Sequence, residues 1–128
     1  MIVVDTNIVA YLLLSGPWTG AAEALLEREP TWAAPPLWRS ELRNILAGYM
    51  RRGTLSLEQA LGVQEAAQDL LSGHEIDVRS SAVLELAAQS QCSAYDCEFV
   101  ALARQLQCAL YTLDAKLLKA FPENAQSL

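Results

Sequence analysis

Histidine is nearly absent from this chain. His74 is the only one in 128 residues, which disfavours a zinc hydrolase and leaves no obvious imidazole for a Ser-His or Cys-His pair. It stands at the mouth of a predicted strand and reads as structural. Cysteine is scarce and odd in number, and Cys92, Cys97 and Cys108 match neither C-x-x-C nor a paired zinc spacing. They read as buried, reduced thiols. Long apolar runs are missing too. The longest uncharged stretch, from Ile8 up to Glu23, is cut by Gly16 and Pro17 and falls short of a membrane span. Met1-Ile-Val-Val meets Asp5 at once, without the basic start and apolar stretch of a secretory signal. The expectation is a cytosolic protein with no membrane contact. Basic residues are few, 9 against 15 acids for a net charge of −6, a poor balance for holding phosphate backbones by bulk charge.

What is present is apolar content of 52%, spread through the chain and interrupted by single charges. That profile fits one soluble domain over residues 1–128 with a substantial core, its last few residues a flexible tail. Ile2-Val3-Val4 reads as a strand and Ile8 to Leu14 as a helix. A second helix, Thr19 to Glu29, is stopped by Pro30, and Thr31 to Ala34 is a short strand candidate. Leu37 to Arg52 is helical and closed by Gly53, Ser56 starts another helix through Leu71, and Glu75 to Val78 alternates like a strand. Ser80 to Gln91 and Ala94 to Gln107 are helices, Ala109 to Thr112 is the last clear strand, and a short helix ends before Pro122. Strands separated by helices predict an α/β fold, a parallel sheet covered by helices.

Four acids stand out by position. Asp5 and Asp114 each follow a strand and precede a helix, where a carboxylate commonly caps the first-turn N–H groups. Ser93-Ala94-Tyr95-Asp96 fits a capping box, and Glu41 inside a helix has solvent as its plainest destination. Taken singly, each has a structural reading. Taken together they converge, because a parallel sheet places its crevice at the carboxyl ends of its strands, where Asp5 and Asp114 stand. A helix N-terminus brings Asp96 to that edge, while Glu41 and Asn44 share one helix face. Clustered carboxylates raise one another's pKa unless a proton or a hard cation intervenes, and oxygen-only donors favour Mg²⁺ or Mn²⁺. Metal-assisted phosphodiester hydrolysis is the chemistry such a site supports. Setting the four acids aside leaves 11 acids against 9 bases, a residual charge of −2.

In order along the chain come Val3-Val4-Asp5-Thr6-Asn7, Ser40-Glu41-Leu42-Arg43-Asn44, Ala94-Tyr95-Asp96-Cys97-Glu98-Phe99-Val100-Ala101-Leu102-Ala103 and Tyr111-Thr112-Leu113-Asp114. With these motifs the chain resembles a PIN-domain nuclease, and its spacing and length look most like VapC-type toxins of toxin–antitoxin pairs, from Met1 to about Phe121. The resemblance implies a PIN-like parallel sheet of about four or five short strands flanked by helices. It also implies an Mg²⁺- or Mn²⁺-dependent endoribonuclease with Asp5, Glu41, Asp96 and Asp114 as its acidic quartet, a homodimer, and a cognate antitoxin protein as partner. Thr6, Asn7, Asn44 and Thr112 would orient carboxylates or waters.

Arg39 and Arg43 beside Glu41, and Lys116 and Lys119 after Asp114, are the candidates for holding RNA phosphates. Trp18, Trp32 and Trp38 read as packing residues before base-stacking ones. Two other classes stay open at this stage. One is a receiver-like phospho-acceptor with an acidic Mg²⁺ pocket, against which Asp5-Thr6 lacks the usual adjacent acid pair. The other is a catalytically inactive PIN-like interaction domain.

Overall fold

The β-branched run Ile2–Val4 forms the first strand, β1, in a computed structural model that describes residues 1–128. It is followed by α1 (Thr6–Leu13), α2 (Thr19–Arg28), β2 (Trp32–Ala33), α3 (Trp38–Arg51) and α4 (Leu57–Leu70). Then come α5 (Ser80–Ala88), α6 (Ala94–Leu106), β3 (Leu110–Tyr111), α7 (Ala115–Ala120) and β4 (Ala125–Gln126). The sheet order is β2-β1-β3-β4 and every pairing is parallel, with Val3 aligned to both Ala33 and Leu110. A single α/β domain with helices covering a parallel sheet is the architecture the alternating pattern predicted.

The chain places β2 on one side of β1 and β3 on the other. The boundary between β1 and β3 is therefore a topological switch point, where connections diverge and the carboxyl ends of the strands open onto a crevice. β1 is buried along its whole length, and α6 packs on β1 and β3 through a face that includes Phe99, Val100, Leu102 and Ala103. Each large apolar side chain so buried contributes about 1.5–3 kcal/mol, which holds the start of α6 against the open end of the sheet. Trp32 and Trp38 are fully buried, whereas Trp18 is 43% exposed and tilts against Tyr11. Cys92 and Cys97 are buried free thiols, and Cys108 is half-buried. Gly53 closes α3 with φ +74°, a left-handed conformation that favours glycine.

Two expectations are corrected. Glu75 to Val78 does not form a strand, because only one bridge joins it to the sheet, Ala34 to Glu75. Ala34 N–H donates to His74 O and Ile76 N–H to Ala34 O, after which the segment turns into α5. The end of the chain is not a free tail: Ala125–Gln126 pairs with β3. Leu110 N–H donates to Asn124 O at 2.8 Å and Thr112 N–H to Gln126 O at 2.9 Å. The buried strand β3 needs partners for its backbone groups on both sides, and two residues are too few to show alternation.

Candidate active site

Four carboxylates reach the carboxyl edge of the sheet from four different elements. Asp5 ends β1 and caps α1, and Asp114 follows β3 and caps α7. Glu41 lies in the first turn of α3 and Asp96 in the first turn of α6. With Thr6, Asn7, Asn44, Ile45 and Phe99 they line a pocket of about 230 Å³. A larger hollow of about 760 Å³ along α5 and α6 mixes Asp77, Arg79, Glu85 and Arg104, so no charge of one sign gathers there.

The caps are real, and they do not exhaust the side chains. Asp5 Oδ1 accepts from Ile8 N–H at 3.1 Å, and its Oδ2 accepts from the Thr112 hydroxyl. Thr112 Oγ1 also accepts from Asp114 N–H at 3.0 Å, so one fully buried threonine links the two strand-end acids. Asp114 uses a single oxygen, Oδ1, for both Lys116 N–H (2.8 Å) and Leu117 N–H (3.1 Å). Glu41 Oε1 accepts from the Thr6 hydroxyl at 2.7 Å. At the start of α6, Asp96 N–H donates to Ser93 Oγ at 3.1 Å, but the Asp96 carboxylate does not bond back to the Ser93 N–H. The capping box expected there is half made, and its acid lines the pocket instead.

Burial pushes Asp5 up to about 6, with the charges of Glu41 and Asp114 adding to it and the bonds from Thr112 and Ile8 opposing it. Glu41 is raised first by burial and then by the charges of Asp96 and Glu98, against the bond from Thr6. Burial and then Asp114 raise Asp96, against Ser93 and Lys116. These acids feel one another, and Lys116 is a cation whose charge reaches Asp96. All the charged donors are oxygens, and such a set fits a hard divalent ion. As the side chains stand, no three close on one ion-sized point.

The structure brings together Asp5, Thr6, Asn7, Glu41, Asn44, Asp96 and Asp114, with Thr112 bonded behind them. It does not bring Arg39. Arg39 Nε and Nη2 donate to Glu75 at 2.7 and 2.6 Å, and Trp38 Nε1 donates to the same carboxylate at 2.9 Å. Arg39 is thereby held by Glu75, away from the pocket lining, and anchors the first turn of α3. Arg43 is exposed, with Nη2 donating to Ser40 Oγ at 3.0 Å. Lys116 and Lys119 are exposed on α7. Sequence reasoning missed Glu75 as that anchor, Ile45 and Phe99 as the apolar wall, and Glu98 as a nearby charge. Phe99 and Ile45 left a signal, three residues after Asp96 and four after Glu41 on the same helix faces.

Comparison with known proteins follows the same lines. The fold is similar to PAE2754 from Pyrobaculum aerophilum, with a TM-score of 0.78, 18% identity, and coverage of 98% of this chain and 89% of that one. It is similar to FitAcB from Neisseria gonorrhoeae, with a TM-score of 0.75, 18% identity, and coverage of 98% and 96%. A toxin–antitoxin complex from Klebsiella pneumoniae contains a chain with a TM-score of 0.72, 19% identity, and coverage of 98% and 96%. Comparison with curated proteins returns no match. The sequence model of the PIN domain spans residues 2–122, a stretch that contains all four acids and the switch point between β1 and β3, and the chain belongs to the PIN domain family.

Proposed function

We propose that this protein is an Mg²⁺- or Mn²⁺-dependent endoribonuclease, the VapC-type toxin of a toxin–antitoxin pair. PIN domains are generally nucleases, so hydrolysis of nucleic acid is the activity family membership supports. The observation that carries the metal-dependent reading is the gathering of four carboxylates at one switch-point pocket, three of them held above their ordinary range by burial and by each other. Keeping such a cluster is costly without a counter-charge.

Asp5 and Asp96 would hold the ion directly, and Glu41 and Asp114 directly or through its waters, since Mg²⁺ keeps several waters in most sites. When bound, the ion supplies polarisation of a phosphodiester oxygen and neutralises the developing charge. The chain's own groups do the positioning. Thr112 fixes the Asp5 carboxylate, and Thr6 fixes Glu41 through Oε1, leaving Oε2 to accept a proton from attacking water. Asn7 and Asn44 present amides to the pocket, and Arg43 and Lys116 stand as the cations for substrate phosphates.

A toxin–antitoxin complex among the similar folds supports a protein partner that silences the site, and arginine from that partner would suit the acids. A homodimer and a cytoplasmic location belong to the same reading. No helix is long and apolar enough to cross a membrane. The test is cleavage of total cellular RNA by purified, partner-free protein with Mg²⁺ or Mn²⁺, against chelator and Asp96→Asn controls. Discrete cuts that need both the metal and Asp96 support the reading. Absence of cuts together with absence of divalent-ion binding would overturn it in favour of an inactive interaction domain.

A further inference from the structure

Next to the acidic pocket lies a second, shallower cleft of about 350 Å³, lined by Leu37, Ser40, Glu41, Asn44 and Tyr95. It shares Glu41 and Asn44 with the pocket, so whatever fills it touches the same helix face that presents the candidate site. Tyr95 is the one aromatic residue of its lining. The residue is 64% exposed, and no other ring or guanidinium of the chain packs on its ring. It sits in the first turn of α6, one residue before Asp96, on a helix fixed in the core by Phe99, Val100 and Leu102. Arg43 donates to Ser40 on the rim of this cleft, placing a cation beside it.

We propose that the Tyr95 ring is a stacking platform for one unpaired base of the nucleic-acid strand, the nucleotide adjoining the phosphate held over the acids. The proposal rests on the nuclease reading and adds to it a subsite for a single-stranded substrate. An exposed ring on a rigid helix turn offers a π-face to any base, and stacking of this kind tolerates sequence while strengthening binding. Arg43, bonded to the cleft residue Ser40, gives the adjoining phosphate a partner, and the cleft lies within the size range of small-ligand pockets. A strand threaded this way would set its register by the stacked base, making Tyr95 a positioning residue for the scissile bond.

The test measures binding of a fluorescent single-stranded RNA heptamer of mixed sequence by anisotropy, with Ca²⁺ replacing Mg²⁺, to the wild type, Tyr95→Phe and Tyr95→Ala. Cleavage in Mg²⁺ is assayed in parallel. The expected result is comparable binding by the wild type and Tyr95→Phe and about tenfold weaker binding by Tyr95→Ala. An abasic nucleotide moved through the heptamer should cost the wild type a similar factor at one position and cost Tyr95→Ala nothing more there. Should Tyr95→Ala fail to fold, the abasic series on the wild type decides. Equal binding by wild type and Tyr95→Ala with RNA cleavage intact, or an abasic series that costs the wild type nothing at any position, overturns the stacking subsite while leaving the nuclease reading standing. No RNA binding by the wild type overturns the subsite, and with neither RNA cleavage nor divalent-ion binding the nuclease reading falls as well.

Discussion

The helices α4 and α6 open on similar four-residue signatures and use them differently. At α4, Ser56 Oγ accepts from Gln59 N–H at 3.1 Å and Gln59 Oε1 accepts from Ser56 N–H at 2.9 Å, a closed capping box on an exposed surface. At α6, Ser93 accepts from Asp96 N–H, and Asp96 gives nothing back. Its carboxylate lines the acidic pocket, raised by burial and by Asp114. One side chain at the third helical position completes a helix end, and the other is withheld from it. The difference lies in what surrounds the two starts: solvent around α4, three further carboxylates around α6. A shorter side chain also favours the open form, since aspartate reaches back less readily than glutamine.

The largest effect that separates the two is catalytic. Asp96→Asn should abolish cleavage without lowering the unfolding free energy of the metal-free protein, since it removes a carboxylate raised by burial and by Asp114, measured by RNA cleavage and denaturant titration on the same preparation. Wild-type cleavage by this variant would return Asp96 to the status of an ordinary first-turn acid.

The next effect is on stability against pH, through Asp5. Its folded pKa of about 6 lies above the ordinary 3.8, so between these values the native state holds a proton that the unfolded chain has released. Stability of the metal-free protein therefore falls as pH rises from about 4 to about 6, by about 3 kcal/mol from this group. The raised Asp96 and Glu41 add to the fall in the same direction. Asp5→Asn should flatten the curve and make the metal-free protein more stable than wild type at pH 7. Parallel curves for the two proteins in chelator would show that Asp5 is not charged at a cost.

Smaller again is the effect of the threonines behind the acids. Thr112→Val removes the hydroxyl that holds Asp5 and accepts from Asp114 N–H. It should raise the Mg²⁺ midpoint for cleavage about 10- to 100-fold, with Thr112→Ser restoring most of it. An unchanged midpoint would mean the threonine serves the fold alone. The smallest effect belongs to α4, where Gln59→Ala should cost about 1 kcal/mol of stability, in the range of a lost cap. Its cleavage rate should not change. A drop in that rate would join α4 to the site and erase the contrast.

Much of this was legible before any coordinates. The strand-turn-helix signals around Asp5 and Asp114 located both strand-end acids, because β-branched runs and caps are local features. The third motif located Asp96 for the same reason. Arg39 was read from its place beside Glu41 as a candidate for substrate, and its ion pair was not legible, because its partner Glu75 stands 36 residues away. The strand read at Glu75 to Val78 and the tail read after Pro122 failed on a related ground. Whether a short segment pairs depends on which backbone groups of the sheet are still unsatisfied, and no local pattern carries that.

The sequence by itself determined the α/β class and the helix boundaries to within a few residues, which follow from periodicity and capping along the chain, and its motifs marked four acids through their resemblance to the PIN family. The tertiary structure alone decided that Thr112 ties Asp5 to Asp114, that Asp96 lines the pocket and leaves its box open, and that Tyr95 borders a cleft joined to the site. Those facts depend on parallel strands from opposite ends of the chain lying side by side, and the packing of the whole core sets that adjacency.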